Sequence, residues 1–310
     1  MKRLKQKNMT RLFQLTALFI FFTGWQNSTQ NTDSLRSEIE QIVSGKNAVV
    51  GVSIIGNNGK DTVSFNGNRR CQLQSVFKLH IALAVLAEVD KGKLSLDQEV
   101  EISKKELLTE DFWSPLRDEY PNGGSFTIAR LIQYSVSQSD NVACDFLIRL
   151  IGTPETVEEY FKKNDLQDIE ITYNEEDMQA KWENMFHNWT TPIAASNTLR
   201  LFYENDKNLL STGSYDFFWN TMKETSTGKN RLKGLLPNGT IVAHKTGTSG
   251  TNAEGLTPAT NDIGIIFLPD GQYFIISVFV TDSKEDDETN ERIIADIAKA
   301  AYDYYTASKK

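Results

Sequence analysis

The stretch Leu73–Leu86, LQSVFKLHIALAVL, is where the chain changes character. Before it, AVVGVSIIGNNGKDTVSFNG (48–67) reads as two strands around an Asn-Gly turn. After it, from about Ser75 to Thr221, the apolar residues recur mostly at helical spacing. Within it, Leu79 and the run from Ile81 to Leu86 are apolar on nearly every side, which predicts a buried helix. Ser75 and Lys78 stand together at the head of that helix.

Outward from this point the pattern is strands, then helices, then strands. On the N-terminal side SLRSEIEQIVSG (34–45) predicts an amphipathic helix closed by Gly45. On the C-terminal side DNVACDFLIRLIG (140–152) has apolar residues at helical spacing and a Gly-Thr-Pro stop. TPETVEEYFKKN (153–164) and TPIAASNTLRLFYEN (191–205) each open with a threonine cap and a proline in the first turn. Strands return at TIVAHKTGT (240–248) and in NDIGIIFLPDGQYFIISVFVTD (261–282), which folds back at Pro269-Asp270-Gly271. ETNERIIADIAKAAYDYYTA (288–307) predicts a closing helix. The simplest assembly is an α+β fold: one mainly antiparallel sheet built from both chain ends, with covering helices and an inserted all-α lobe. The expected division is an α/β lobe from 31–69 and 222–310 and an all-α lobe from 70–221. A cleft between two such lobes is a natural ligand site.

The first residues are read differently. Lys2, Arg3, Lys5, Lys7 and Arg11 form a basic front, followed by the short apolar run LFQLTALFIFF. This predicts an export signal over about residues 1–25, too short for a comfortable membrane span. Removing its five positive charges takes the formal net charge from -8 to -13, which argues against nucleic acid or an anionic membrane as partner. Two cysteines, Cys71 and Cys144, could pair in an exported protein, although Cys144 in its apolar helix is by default a buried thiol. His80, His187 and His244 are the only histidines and show no metal-ligand spacing. There is no G-x-S-x-G, P-loop or dinucleotide fingerprint.

At the N-terminus of a buried helix, free N–H groups and the dipole favour developing negative charge. A serine there is placed to act as a nucleophile, and Lys78, one turn on, shares its face and can act on its proton. S-x-x-K alone carries little weight, because it is common and serine is an ordinary helix cap. Ser139-Asp140-Asn141 alone is a good capping turn, and Lys245-Thr246-Gly247 alone is an ordinary strand end. The three in this order, each at its expected structural place, form the combined signature of penicillin-recognising serine enzymes.

With these motifs the chain resembles the class A serine β-lactamases over nearly everything after the leader. NEED, HNWTTP, TSTGKNRLKGLLP and VAHKTGTSG make it similar to the extended-spectrum subgroup of PER and VEB type. The resemblance implies that Ser75 forms an acyl-enzyme, that Lys78 aids its deprotonation, and that Ser139, supported by Lys245, returns a proton to the β-lactam nitrogen. It implies Glu175 as the residue that activates the deacylating water; whether Glu175 or Lys78 is the base for acylation is left open. Asn141 would hold the substrate's side-chain amide. Thr246, Gly247 and Thr248 would line the carboxylate side, Arg231 would anchor the carboxylate, and Trp113 would wall the cleft. The backbone N–H groups of Ser75 and Thr248 would form the oxyanion hole. The resemblance also implies no cofactor or metal, β-lactams as substrates, a monomer without a lasting membrane anchor, and the periplasm of a Gram-negative bacterium. Two positions depart from the common pattern. Gln179 stands where an asparagine usually holds the water, and Tyr173 with Asn188 stand where an arginine–aspartate pair usually closes the loop. The competing expectations are a D,D-peptidase and a β-lactam sensor that acylates and stays acylated.

Overall fold

The computed structural model describes residues 32–307, so the expected export signal lies outside the described residues. In chain order the elements are α1 (Asp33–Val43), β1 (Val49–Gly56), β2 (Asp61–Phe65), β3 (Cys71–Gln72), a tight turn over Gln74–Val76, α2 (Phe77–Asp90) and β4 (Glu99–Ser103). Then come α3 (Pro115–Glu119), β5 (Gly123–Thr127), α4 (Ile128–Ser137), α5 (Asn141–Ile151), α6 (Pro154–Lys163), β6 (Ile169–Glu170), α7 (Glu175–Ala180), β7 (Trp189–Thr190), α8 (Pro192–Glu204) and α9 (Thr212–Lys223). The chain closes with β8 (Val242–Thr248), β9 (Thr257–Phe267), β10 (Tyr273–Ser283) and α10 (Asp287–Ala307).

The main sheet is antiparallel, in the order β2-β1-β10-β9-β8. Strands from both chain ends therefore lie side by side, with Val52 opposite Val278. Alternation along the strands separates two cores. Val52, Ile54, Ile276 and Val278 face Leu35 and Ile39 of α1 and Ile293, Ile294 and Ile297 of α10. Ile263, Ile265, Ile275 and Phe279 face the helical body around α2. In α2, every residue from Phe77 to Ala87 is buried, as its all-round apolar character predicts.

Helices α6 and α8 start as the Thr-Pro pairs predict. Thr153 forms a capping box, and Thr191 accepts a hydrogen bond from the Ala194 N–H. The segment 70–221 is mainly helical but also holds five short strands: β4 pairs with β5, and β7 lies between β3 and β6. Two-residue strands such as β3, β6 and β7 are too short to show an alternation in sequence. Cys71 and Cys144 are buried free thiols, and burial pushes Cys71 up to about 12 and Cys144 well above the usual thiol range. Among the described residues, no helix is long and apolar enough to cross a membrane.

Candidate active site

Three elements meet at Ser75. Ser75 sits in the tight turn before α2, next to Gln74, whose backbone is left-handed at φ 45°. Strand β8 runs directly past this turn. A side chain at position 247 would put its Cβ 2.6 Å from the Leu73 carbonyl oxygen, so only glycine permits the approach. The third element is the head of α5, where Ser139 precedes the cap residue Asp140 and is itself left-handed at φ 61°. Asp140 accepts from the Ala143 N–H at 2.8 Å, the Ser114 hydroxyl at 2.9 Å and the Leu116 N–H at 2.7 Å. It thereby ties the head of α5 to the segment that carries Trp113. Burial pushes the Asp140 carboxyl above its ordinary range.

Lys78 is fully buried, and its Nζ lies among four oxygens: Ser75 Oγ at 2.9 Å, the Ser139 carbonyl at 2.9 Å, Asn141 Oδ1 at 2.6 Å and Glu175 Oε1 at 2.7 Å. The Ser75 hydroxyl also reaches Glu175 Oε1 at 3.4 Å. The Ser75 hydroxyl thus accepts from Lys78 and has a carboxylate within reach of its proton. On the other side, Lys245 donates to Ser139 Oγ and to the Thr246 carbonyl, each at 2.9 Å. Complete burial, reinforced by the Lys78 charge, holds the Lys245 ammonium well below the usual lysine range.

Glu175, not Glu176, faces this cluster. Glu175 is 1 % exposed, whereas Glu176 points to solvent. Asp145 of α5 fixes that choice by accepting the Glu175 N–H at 2.7 Å and the Glu176 N–H at 3.0 Å. Gln179, one turn along α7, donates to Glu175 Oε2 at 3.2 Å. Above the β6–β7 pairing, Asn188 closes the neck of the loop. Its Oδ1 accepts the Thr172 and Tyr173 N–H groups at 2.8 and 2.9 Å, and its Nδ2 donates to the Tyr173 carbonyl at 2.8 Å. The Tyr173 ring makes no hydrogen bond to Asn188 and instead lies edge-on to His187 across the neck, at 5.6 Å.

The Asp145 carboxyl is pushed up to about 7, first by burial and then by the Glu175 charge. Unfolded, it would titrate near roughly 3.9. Its contribution to stability is therefore full below that value and is lost as pH rises through about 7. Asp145→Asn should narrow this pH dependence: the wild type's stability advantage is expected to be largest near roughly pH 4 and to shrink toward neutrality. The variant also puts an amide donor against one of two N–H donors, so deacylation is expected to slow by about one to two decades. Chemical denaturation across pH and pre-steady-state kinetics check both; a stability gap that widens with pH would contradict this account.

Arg231 is 7 % exposed and held on every side. Its Nε–H donates to Glu291 at 3.1 Å, Nη1 to the Gly247 and Asn261 carbonyls at 3.0 Å each, and Nη2 to Thr248 Oγ1 at 2.8 Å. Thr246 Oγ1 lies 2.6 Å from Thr227 Oγ1. Trp113 is 60 % exposed at the lip, with its ring N–H on the Gln138 carbonyl at 2.9 Å. Ser75, Ser139, Glu175, Arg231 and Thr248 line one cleft of about 570 Å³.

All the sequence-predicted residues come together at this cleft or directly beneath it. The histidines do not converge. His80 packs edge-on to Phe161 at 4.8 Å and is driven down to about 4 by burial, and His244 Nδ1 pairs with Asp262 at 2.9 Å. No group of three or more His, Cys, Asp or Glu side chains able to hold a metal occurs among the described residues. Asp145 and Glu291 were missed by sequence reasoning. Asp145 could have been found, because it lies one turn after Asn141 on the same helical face. Glu291 carries no such signal.

Residues 34–305 match the family model described as the beta-lactamase enzyme family. The chain is 50% identical over 291 residues to β-lactamase VEB-1 of Pseudomonas aeruginosa, covering 94% of this chain and 96% of that protein. It is 44% identical over 291 residues to the extended-spectrum β-lactamase PER-1 of Pseudomonas aeruginosa, covering 93% and 92%. Its fold superposes on the crystal structure of TLA-1 extended-spectrum β-lactamase with a TM-score of 0.86 at 46% identity, covering 88% of this chain and 99% of that one.

Proposed function

Since the chain belongs to the beta-lactamase enzyme family, within the class A serine enzymes, we propose that it hydrolyses the β-lactam amide of penicillins and cephalosporins through a Ser75 acyl-enzyme. The observation that carries this reading is the position of Glu175: one carboxylate touches both Lys78 and the Ser75 hydroxyl, and opens on the same cleft. Such an arrangement serves both halves of a hydrolysis. Ser75 Oγ attacks the lactam carbonyl carbon as its proton passes to Lys78 or Glu175. The backbone N–H groups of Ser75 and Thr248 hold the oxyanion. The C–N bond then breaks, and the nitrogen takes a proton through Ser139, whose hydroxyl Lys245 holds in place. Glu175, steadied by Gln179, next takes a proton from a water that attacks the ester, and Ser75 is released.

The substrate carboxylate is met by a single guanidinium N–H. Four of the five Arg231 donors are already used, which leaves one on Nη2. Thr248 accepts from that same nitrogen, so its hydroxyl hydrogen is free to donate beside it. Arg231→Ala is expected to raise KM by about one to two decades, the equivalent of a charge-assisted contact worth roughly 1.5–3 kcal/mol, with kcat less affected. Steady-state kinetics with several penicillins and cephalosporins check it; an unchanged KM would mean that another cation holds the carboxylate.

The chain is read as two lobes, 31–69 with 222–310 and 70–221, with this cleft between them. The loop neck closed by the neutral Asn188 supports a range that includes oxyimino cephalosporins. Residues 1–25 are read as an export signal, which would deliver a monomer without a membrane anchor to the periplasm of a Gram-negative bacterium. The deciding experiment is hydrolysis of a chromogenic cephalosporin by the purified mature protein, with chelator present and no added metal. Sustained turnover supports the reading. One stoichiometric burst would mark a sensor, and cleavage of a D-Ala-D-Ala peptide without β-lactam turnover would mark a D,D-peptidase.

A further inference from the structure

Four charged residues line the cleft: Asp111, Glu175, Lys181 and Arg231. Glu175 is neutralised by Lys78, and Arg231 lies on the β8 side, where the ring carboxylate is held. Lys181 lies on the opposite wall, just past α7, and is exposed. Among the described residues, no carboxylate pairs with its ammonium. Its backbone is nonetheless fixed: the Lys181 carbonyl accepts the Asn184 N–H at 3.1 Å, and Asn184 Nδ2 donates to the Asp177 carbonyl at 2.6 Å. Met178, Trp182 and Met185 form an apolar stretch of the same wall. The cleft thus offers a cation on each side, with the nucleophile and an apolar strip between them.

We propose that Lys181 is a specificity-determining residue that favours β-lactams carrying a second carboxylate, on the acylamino side chain. The inference rests on the β-lactamase reading above and adds the substrate class to it. Asn141 takes the side-chain amide, so the remainder of the side chain runs out along Met178 and Trp182 toward Lys181. The net charge of the chain without its leader, -13, opposes the approach of a dianion, and a local ammonium offsets that opposition at the point of entry. Asp111, on the other lip beside Trp113, is the acid that works against it.

The test compares ceftazidime, whose oxime carries a carboxylate, with the same drug blocked at that carboxylate as its methyl ester. Lys181→Ala is expected to lower kcat/KM for the acid about threefold and Lys181→Glu about tenfold, through KM, with the ester little changed. Asp111→Asn should move the acid the other way. Raising the salt concentration should close the gap between acid and ester in the wild type, because exposed charges are screened. Equal changes for acid and ester, or no change for either, would overturn the role of Lys181. If the wild type turns over neither compound nor a chromogenic cephalosporin, the β-lactamase reading fails with it; turnover of both compounds with Lys181 unresponsive removes this inference alone.

Discussion

Replacing Ser75 with alanine is expected to abolish both turnover and covalent labelling by penicillin. Loss of the nucleophile in other serine hydrolases costs on the order of 10⁶ in kcat, and nothing here supplies a substitute. Ser139 also opens on the cleft, but its hydroxyl accepts from Lys245 and, among the described residues, has no carboxylate within hydrogen-bond reach. The fold should tolerate the change. Lys78 keeps the Ser139 carbonyl, Asn141 and Glu175 as partners, so no buried charge is left alone. The expected result is a protein with near wild-type thermal stability whose intact mass stays unmodified after prolonged exposure to drug. Stoichiometric acylation at another residue would sink the assignment.

Glu175→Ala is expected to do the opposite to labelling: the acyl-enzyme should form and then persist. Acylation uses the Ser75 oxygen, which still has Lys78 at 2.9 Å. Deacylation needs water, a poor nucleophile without a base, and general-base help is worth about 10²–10⁴ in rate. Mass spectrometry should therefore find protein plus one opened drug molecule within the dead time of mixing, decaying over minutes or longer. Glu175→Gln should behave alike, since an amide fills the space without taking a proton. Glu176→Ala, at an exposed side chain, should turn over normally. If Glu176→Ala traps the adduct and Glu175→Ala does not, the water is activated from the neighbouring position.

The order of strands, helices and strands was legible because a period of two differs visibly from one of 3.6 over runs such as 48–67 and 73–86. The three motifs were legible because each sits where an element begins or ends, and capping and turn chemistry are local. What escaped was long-range pairing. The spacing from Asn141 puts Asp145 on the same helical face, but nothing local in DNVACD names its partners, two N–H groups of a loop thirty residues on. Nothing near Arg231 announces Glu291 on the last helix. The loop neck shows the same limit. Tyr173 and Asn188 invite the expectation of a side-chain pair, but Asn188 grips the backbone at Tyr173 while the phenol ring meets His187. Side-chain identity suggested a partner, and a peptide group fills that place.

The pairing of β1 with β10 also governs when the molecule can form. β1 and β2 leave the ribosome early but lack the neighbour that completes their edge until residues near 280 have been made. The same late strand joins them to β9 and β8, and hence to Lys245 and the carboxylate side of the cleft. Loop closure over more than two hundred residues is entropically costly and slow compared with local helix formation. An incomplete chain therefore holds at most the helical body and two unjoined sheet fragments, with neither a finished hydrophobic layer under α1 nor a working cleft. Assembly is gated by the last strand and helix of the polypeptide, so the cleft is finished only once nearly the whole chain has been made.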